Sequence, residues 1–263
     1  MDSIFLTKVI ISFFVAGIWI SAATLLAERM GTKIGGLIAN LPSNILVSLL
    51  FLYFVYDTDY VISVVPSVPI GMLINTCFLS VYVVLLRKGL ISSTIISLMI
   101  WFALAAATGF ITSTNLWINF SAYIIITFVA FFVLEKFTKI PAMAKSNKRY
   151  SKTQIMIRAA FAGGIVASVI LISKFLSPYF VGIFSTFPAV LLSTVIILSL
   201  NQNIQFAQAT GKILILSSTN ITIYAIAVYF TYPIFGVLIG TIISFAAAVI
   251  WVWLFHPIVQ RLK

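Results

Sequence analysis

The chain has 263 residues, 62% hydrophobic and only 8% charged, with a mean hydropathy of +1.18. Ordinary soluble domains carry about a quarter charged residues, so a water-soluble globule is excluded. The net charge of +11 reads as basic loops along one membrane face rather than as a nucleic-acid surface.

Several apolar runs exceed the roughly 18 residues that signal a membrane-crossing helix, and no alternating ten-residue segments of a β-barrel are visible. The expected fold class is an all-α polytopic membrane protein. Nine spans are expected in chain order, at about 4–27, 35–55, 62–86, 89–111, 116–135, 154–174, 179–200, 208–230 and 232–256. The first lacks a basic start and a cleavage site, so it reads as a lasting helix rather than a removable signal peptide. Arg87–Lys88–Gly89 makes a tight turn between the third and fourth. The basic stretch 136–152 is the one substantial loop, and it divides the chain.

Placing that loop in the cytoplasm puts 14 of the 16 Lys and Arg residues on the same side, leaving only Lys8 and Lys174 outside with Asp57 and Asp59. This asymmetry fits the positive-inside rule, with the N-terminus outside and the C-terminus inside. A cell-membrane, multi-pass localisation follows.

The second span carries "GGLIANLPSNILVS" and the seventh "VGIFSTFPAVLLST". Gly36 and Gly182 are 146 residues apart, as are Pro42 and Pro188. At the same shift Ala16–Gly17 matches Ala162–Gly163, and Leu25 matches Leu171. Asn75 pairs with Asn220 at 145, and "TIIS" at 94–97 with "TIIS" at 241–244 at 147. The expected domains are therefore a four-helix repeat over 1–111, a linker transmembrane helix over 112–135, the cytoplasmic loop 136–152 and a second four-helix repeat over 153–263. Five spans separate the starts of the repeats, an odd number, so the second is inverted relative to the first. Inverted repeats recur in transporters; a duplication kept for folding alone is the competing reading.

The first unit, with "GGLIANLPSNILVSLLFLYFVYDTDY", "PSVPIGM" and "LLRKGL", resembles the GlpM-like family of small four-helix bacterial membrane proteins. The resemblance covers residues 1 to about 111 and, more faintly, the second unit. It implies architecture and brings no catalytic residues with it.

Asn40, Asn44 and Ser48 are spaced i, i+4, i+8 on one helix face, with Ser43 beside them. The matching face of the seventh span holds Thr186, Val190 and Thr194, with Ser185 adjacent. Amides and hydroxyls in hydrocarbon must find partners, so these faces should point into the bundle. Proline frees a backbone carbonyl, and interrupted helices line substrate sites in many transporters. The substrate-binding candidates are Asn40, Ser43, Asn44, Ser48, Asn75, Ser185, Thr186 and Asn220, with Pro42 and Pro188 as helix breaks or hinges. The bland alternative is a set of interhelical hydrogen bonds that lock the fold.

No Asp or Glu lies in the middle of a span, which argues against proton exchange through a central acid. Arg158 and Lys212 are expected to snorkel to the headgroups. One cysteine, one histidine and no metal or nucleotide motif speak against an enzyme and imply no cofactor or metal. The expected function is a permease moving a small neutral, zwitterionic or anionic solute by alternating access. The alternative is a non-transporting accessory or scaffold protein in envelope assembly. Expected partners are the lipid bilayer, anionic lipid at the 136–152 loop, an unknown small-molecule substrate and a second copy as a homodimer; no nucleic acid is expected.

Overall fold

The computed structural model describes residues 3–29, 41–110, 113–138 and 151–261, and no strand occurs among them. The helices in chain order are α1 (Ser3–Arg29), α2 (Ser43–Val55), α3 (Thr58–Val64), α4 (Val68–Leu85), α5 (Leu90–Ala107) and α6 (Leu116–Thr138). They continue with α7 (Lys152–Ile172), α8 (Pro178–Ser185), α9 (Ala189–Asn201), α10 (Ile204–Ser217) and α11 (Thr219–Arg261). A 3₁₀ turn at Val65–Ser67 joins α3 to α4, so that Thr58–Lys88 runs as one apolar segment. Among the described residues seven segments are long and apolar enough to cross a membrane, and α2 is a shorter apolar helix. The expected span at 35–55 is described only from residue 41. The Gly36 position, Asn40 and residues 139–150 of the basic loop lie outside the described residues.

The exterior is apolar and the interior partly polar. Ile4, Ile18, Met99, Phe132, Leu238 and Ile242 stand out from the surface, whereas Ser48, Thr127, Asn220, Thr222 and Ser244 are fully enclosed. Such a surface is stable against hydrocarbon and unstable against water.

The 146-residue shift reappears in the backbone. Helices α2 and α9 are both 13 residues long and both start directly after a proline. Pro42 has φ −75°, ψ 57° and Pro188 φ −76°, ψ 39°. Each helix ends on a matching residue, Tyr56 at φ −116°, ψ −100° and Gln202 at φ −113°, ψ −95°. The next residues, Asp57 and Asn203, cap α3 and α10 by accepting the N–H three residues on. Asp57 and Asn203 are again 146 apart. Asx side chains suit this cap because their short oxygen reaches the free donors of the first turn.

Helices α1 and α7 cross closely and reciprocally. A Cβ on Gly17 would meet the Ala159 backbone, and one on Gly163 would meet the Phe13 backbone. Stepping back four residues on α1 steps forward four on α7, so the two run antiparallel. The contact pairs 13 with 163 and 17 with 159, and each member lies 146 from its counterpart.

Two hairpins turn on left-handed glycines: Gly89 (φ 129°) between α4 and α5, and Gly236 (φ 70°) inside α11. The arms of α11 fold back on each other, the Tyr232 hydroxyl meeting Thr241 Oγ1 at 2.8 Å and Trp251 Nε1 donating to Thr219 Oγ1 at 2.9 Å. Glycine is needed at both turns because a side chain is disfavoured at positive φ.

The charged residues separate to two ends. At one, Lys174 lies over the Phe5 ring, Lys8 donates to the Phe54 carbonyl, and the Tyr56 hydroxyl is 3.1 Å from Ser173 Oγ. At the other, Lys212 pairs with Glu135 at 2.6 Å, Gln208 donates to the Val83 carbonyl at 2.6 Å, and Gln154 and Asn201 exchange amide hydrogen bonds.

Candidate functional site at the proline breaks

Pro188 interrupts the seventh expected span at its middle. Helix α8 stops at Ser185 and α9 starts at Ala189. Proline offers no N–H, and its ring disfavours helical geometry in the residue before it. Carbonyls are thereby released in the interior of the bundle, where each needs a donor. One donor comes from far along the chain: Asn75 Nδ2 of α4 bonds the Thr186 carbonyl at 2.6 Å. Asn75 Oδ1 in turn accepts from Trp101 Nε1 of α5 at 2.8 Å. Trp101 packs edge-on against Phe184, at the end of α8, and Phe187, within the break, with ring centroids 5.4 and 4.9 Å away. Asn75 and Trp101 are almost wholly buried. The break is thus held by one amide and one indole.

Asn75 is 13 residues from Lys88 and 17 from Thr58, about 20 and 26 Å along a helix. It therefore sits in the middle third of its apolar segment.

The other candidates divide into two groups. Ser185 and Thr186 return their hydroxyls to the carbonyls of Gly182 and Ile183, and Ser43 to that of Leu41. These hydroxyls stabilise the breaks locally. Asn44 Oδ1 and Ser48 Oγ, by contrast, are buried and make no hydrogen bond among the described residues. They lie one turn apart on α2 and form a polar face that the fold encloses. No hydrogen bond joins that face to Asn75. Asn220 is fully buried in the first turn of α11. Pro42 and Pro188 are both buried, and Asn40 is outside the described residues.

Arg158 and Lys212 do not snorkel. They are 5% and 4% exposed, with Arg158 Nη1 donating to Thr194 Oγ1 at 2.9 Å and Lys212 held by Glu135. Snorkelling requires a free path for the stem to the interface. Both residues instead sit on helix faces covered by neighbours, α9 over Arg158 and α6 over Lys212. Thr194, expected only as part of a weakly polar face, is the acceptor that makes the Arg158 position tenable.

Sequence reasoning missed the role of the linker helix. Thr127 of α6 lies 3.3 Å from Thr76 of α4, and Tyr123, one turn earlier on α6, lies beside Ser218, Thr127 and Thr222. Thr76 and Thr222 are 146 apart, and both lie beside α6. The signal was present in the spacing, but α6 has no counterpart in the repeat to draw attention to it.

A family model described as "Protein of unknown function (DUF3147)" matches residues 9–115, which covers the first unit through α5 and the turn that follows. No curated protein and no solved structure matches the chain. The likeness to the GlpM-like family has no support from these comparisons, and the match to the uncharacterised family is compatible with it.

Proposed function

We propose that the chain is a multi-pass membrane permease, built as two inverted four-helix repeats around the linker helix α6, that moves a small solute by alternating access. One observation carries the reading. Two buried prolines, 146 residues apart and with the same backbone geometry, each precede a 13-residue apolar helix with polar groups in its first two turns, and at Pro188 the helix before it ends at Ser185. Broken helices at corresponding positions of two repeats are the feature from which a transporter's binding site is best inferred. The reciprocal, antiparallel α1–α7 contact supports the inverted relation of the halves. Asn44 and Ser48 supply buried oxygens that form no hydrogen bond among the described residues. The concentration of basic residues at one end favours a cytoplasmic basic loop and an outer N-terminus.

The test is substrate-dependent thermal stabilisation of the purified protein against a metabolite panel, followed by uptake into proteoliposomes. Pro42→Ala and Asn44→Leu should reduce uptake while leaving membrane insertion intact. Wild-type uptake by both variants would sink the permease reading.

One observation favours a second reading, a non-transporting accessory or scaffold protein. The Asn75 amide is engaged at both ends by the fold itself, as expected of a polar group whose task is to lock a helix break.

A further inference from the structure

We propose that the hydroxyl cluster where α6 meets α4 and α11 binds a small neutral solute through its hydrogen-bond acceptors. The inference rests on the permease reading and deepens it, by assigning the transported molecule no net charge and by making α6 part of the site.

Five hydroxyls from three parts of the chain converge there: Thr76, Tyr123, Thr127, Ser218 and Thr222. All are buried, and Tyr123, Thr127 and Thr222 are 0% exposed. Thr76 and Thr127 satisfy one another, and Ser218 Oγ returns its proton to the Ile215 carbonyl at 3.2 Å. The remaining two are unsatisfied. Tyr123 lies beside Ser218, Thr127 and Thr222 without the distance and angle of a hydrogen bond to any of them. Thr222 Oγ1 also has no partner. Each hydroxyl offers one donor and two lone pairs, and native interiors rarely leave such groups unmatched. Two enclosed O–H groups from α6 and α11 therefore lie side by side without a formed hydrogen bond, and an acceptor placed between them would take both.

The chemistry of that acceptor follows from what surrounds it. The formal charges nearest in sequence are Lys212 on α10, six residues before Ser218, and Glu135 on α6, eight after Thr127. Those spacings are about 9 and 12 Å of helix, and the two charges are paired with each other. None of the five cluster residues carries charge to neutralise an ion, and an isolated ion in an apolar interior is strongly disfavoured. A carbonyl or hydroxyl oxygen on a neutral molecule fits. The position also suits a transported solute. Thr76 and Thr222 approach α6 from different helices, and α6 presents Tyr123 and Thr127 to them from one face.

The experiment uses the full chain in proteoliposomes. Glycerol, urea and acetamide serve as neutral probes, and taurine and lactate as charged ones, with flux followed by light scattering. The expected result is faster entry of a neutral probe than into protein-free vesicles. Tyr123→Phe and Thr222→Val, which keep side-chain shape, should each slow that entry about tenfold, as for loss of one buried hydrogen bond to the ligand. A second readout does not depend on transport. Thr222→Cys on a Cys77→Ser background should react with methyl methanethiosulfonate and be protected by the neutral probes.

An inert thiol, or a reactive one that no neutral probe protects, overturns the inference whatever the flux shows. Neutral flux unchanged in Tyr123→Phe and Thr222→Val overturns it too, as does flux of the charged probes alone; in both cases transport still stands. Protection of the thiol with no flux of any probe keeps the binding site and removes the permease reading.

Discussion

Replacing Asn75 by leucine tests the account of the Pro188 break most directly. The substitution keeps the number and branching of side-chain heavy atoms but removes the donor to the Thr186 carbonyl and the acceptor for Trp101 Nε1. Each lost hydrogen bond contributes about 0.5–1.5 kcal/mol, and leaving a buried polar group unmatched costs about 1–3 kcal/mol. Interhelical hydrogen bonds in membranes fall toward the low end, averaging about 0.6 kcal/mol. With Trp101 and the Thr186 carbonyl both enclosed, the expected loss for Asn75→Leu is about 2–4 kcal/mol. Trp101→Phe removes one donor and some ring contact, for about 1–2 kcal/mol by the same figures. In the double variant only the Thr186 carbonyl remains unmatched. Its cost should therefore fall short of the sum by about 1 kcal/mol, the coupling of two residues in contact. Reversible unfolding in mixed micelles, read by near-ultraviolet circular dichroism, supplies all four corners of the cycle. A loss below about 0.5 kcal/mol for Asn75→Leu, the range of surface changes, or strict additivity in the double variant, would refute the bridging role.

Three further outcomes follow. Gly163→Ala should lower the thermal midpoint markedly more than Gly17→Ala, because the added carbon meets the Phe13 carbonyl at 2.5 Å in the first and the Ala159 carbonyl at 3.3 Å in the second; equal midpoints would contradict the close α1–α7 crossing. Glu135→Gln removes the carboxylate that faces a buried lysine, and since Glu135 is itself partly solvated the loss should be about 1–2 kcal/mol rather than the 3–5 of a fully buried pair. Adding Lys212→Met should recover part of that loss in the same unfolding assay. Gly236→Ala meets no neighbouring atom yet must adopt φ 70°, so it should destabilise by about 1–2 kcal/mol through backbone strain alone; a neutral result would mean that the α11 turn relaxes freely.

Composition and pattern determined a good deal by themselves. An apolar content of this size is compatible with a surface lying against hydrocarbon, where long helices are expected because every backbone group must pair internally. The 146-residue recurrence was visible as Gly36/Gly182 and Pro42/Pro188. It then reappeared in the caps at Asp57 and Asn203, because the same short side chain solves the same donor problem at both helix starts. What remained hidden was which face of each helix meets protein. In a water-soluble helix a polar face marks the outside, but on helices whose exposed and enclosed faces are both largely apolar, as here, that contrast fades. Periodicity therefore could not tell that Arg158 and Lys212 turn inward, or that α6 brings Tyr123 and Thr127 to the centre. Nor could it join Asn75 to a carbonyl 111 residues away. Local geometry creates the unmatched carbonyl at Thr186, but only the tertiary structure decides which distant amide answers it.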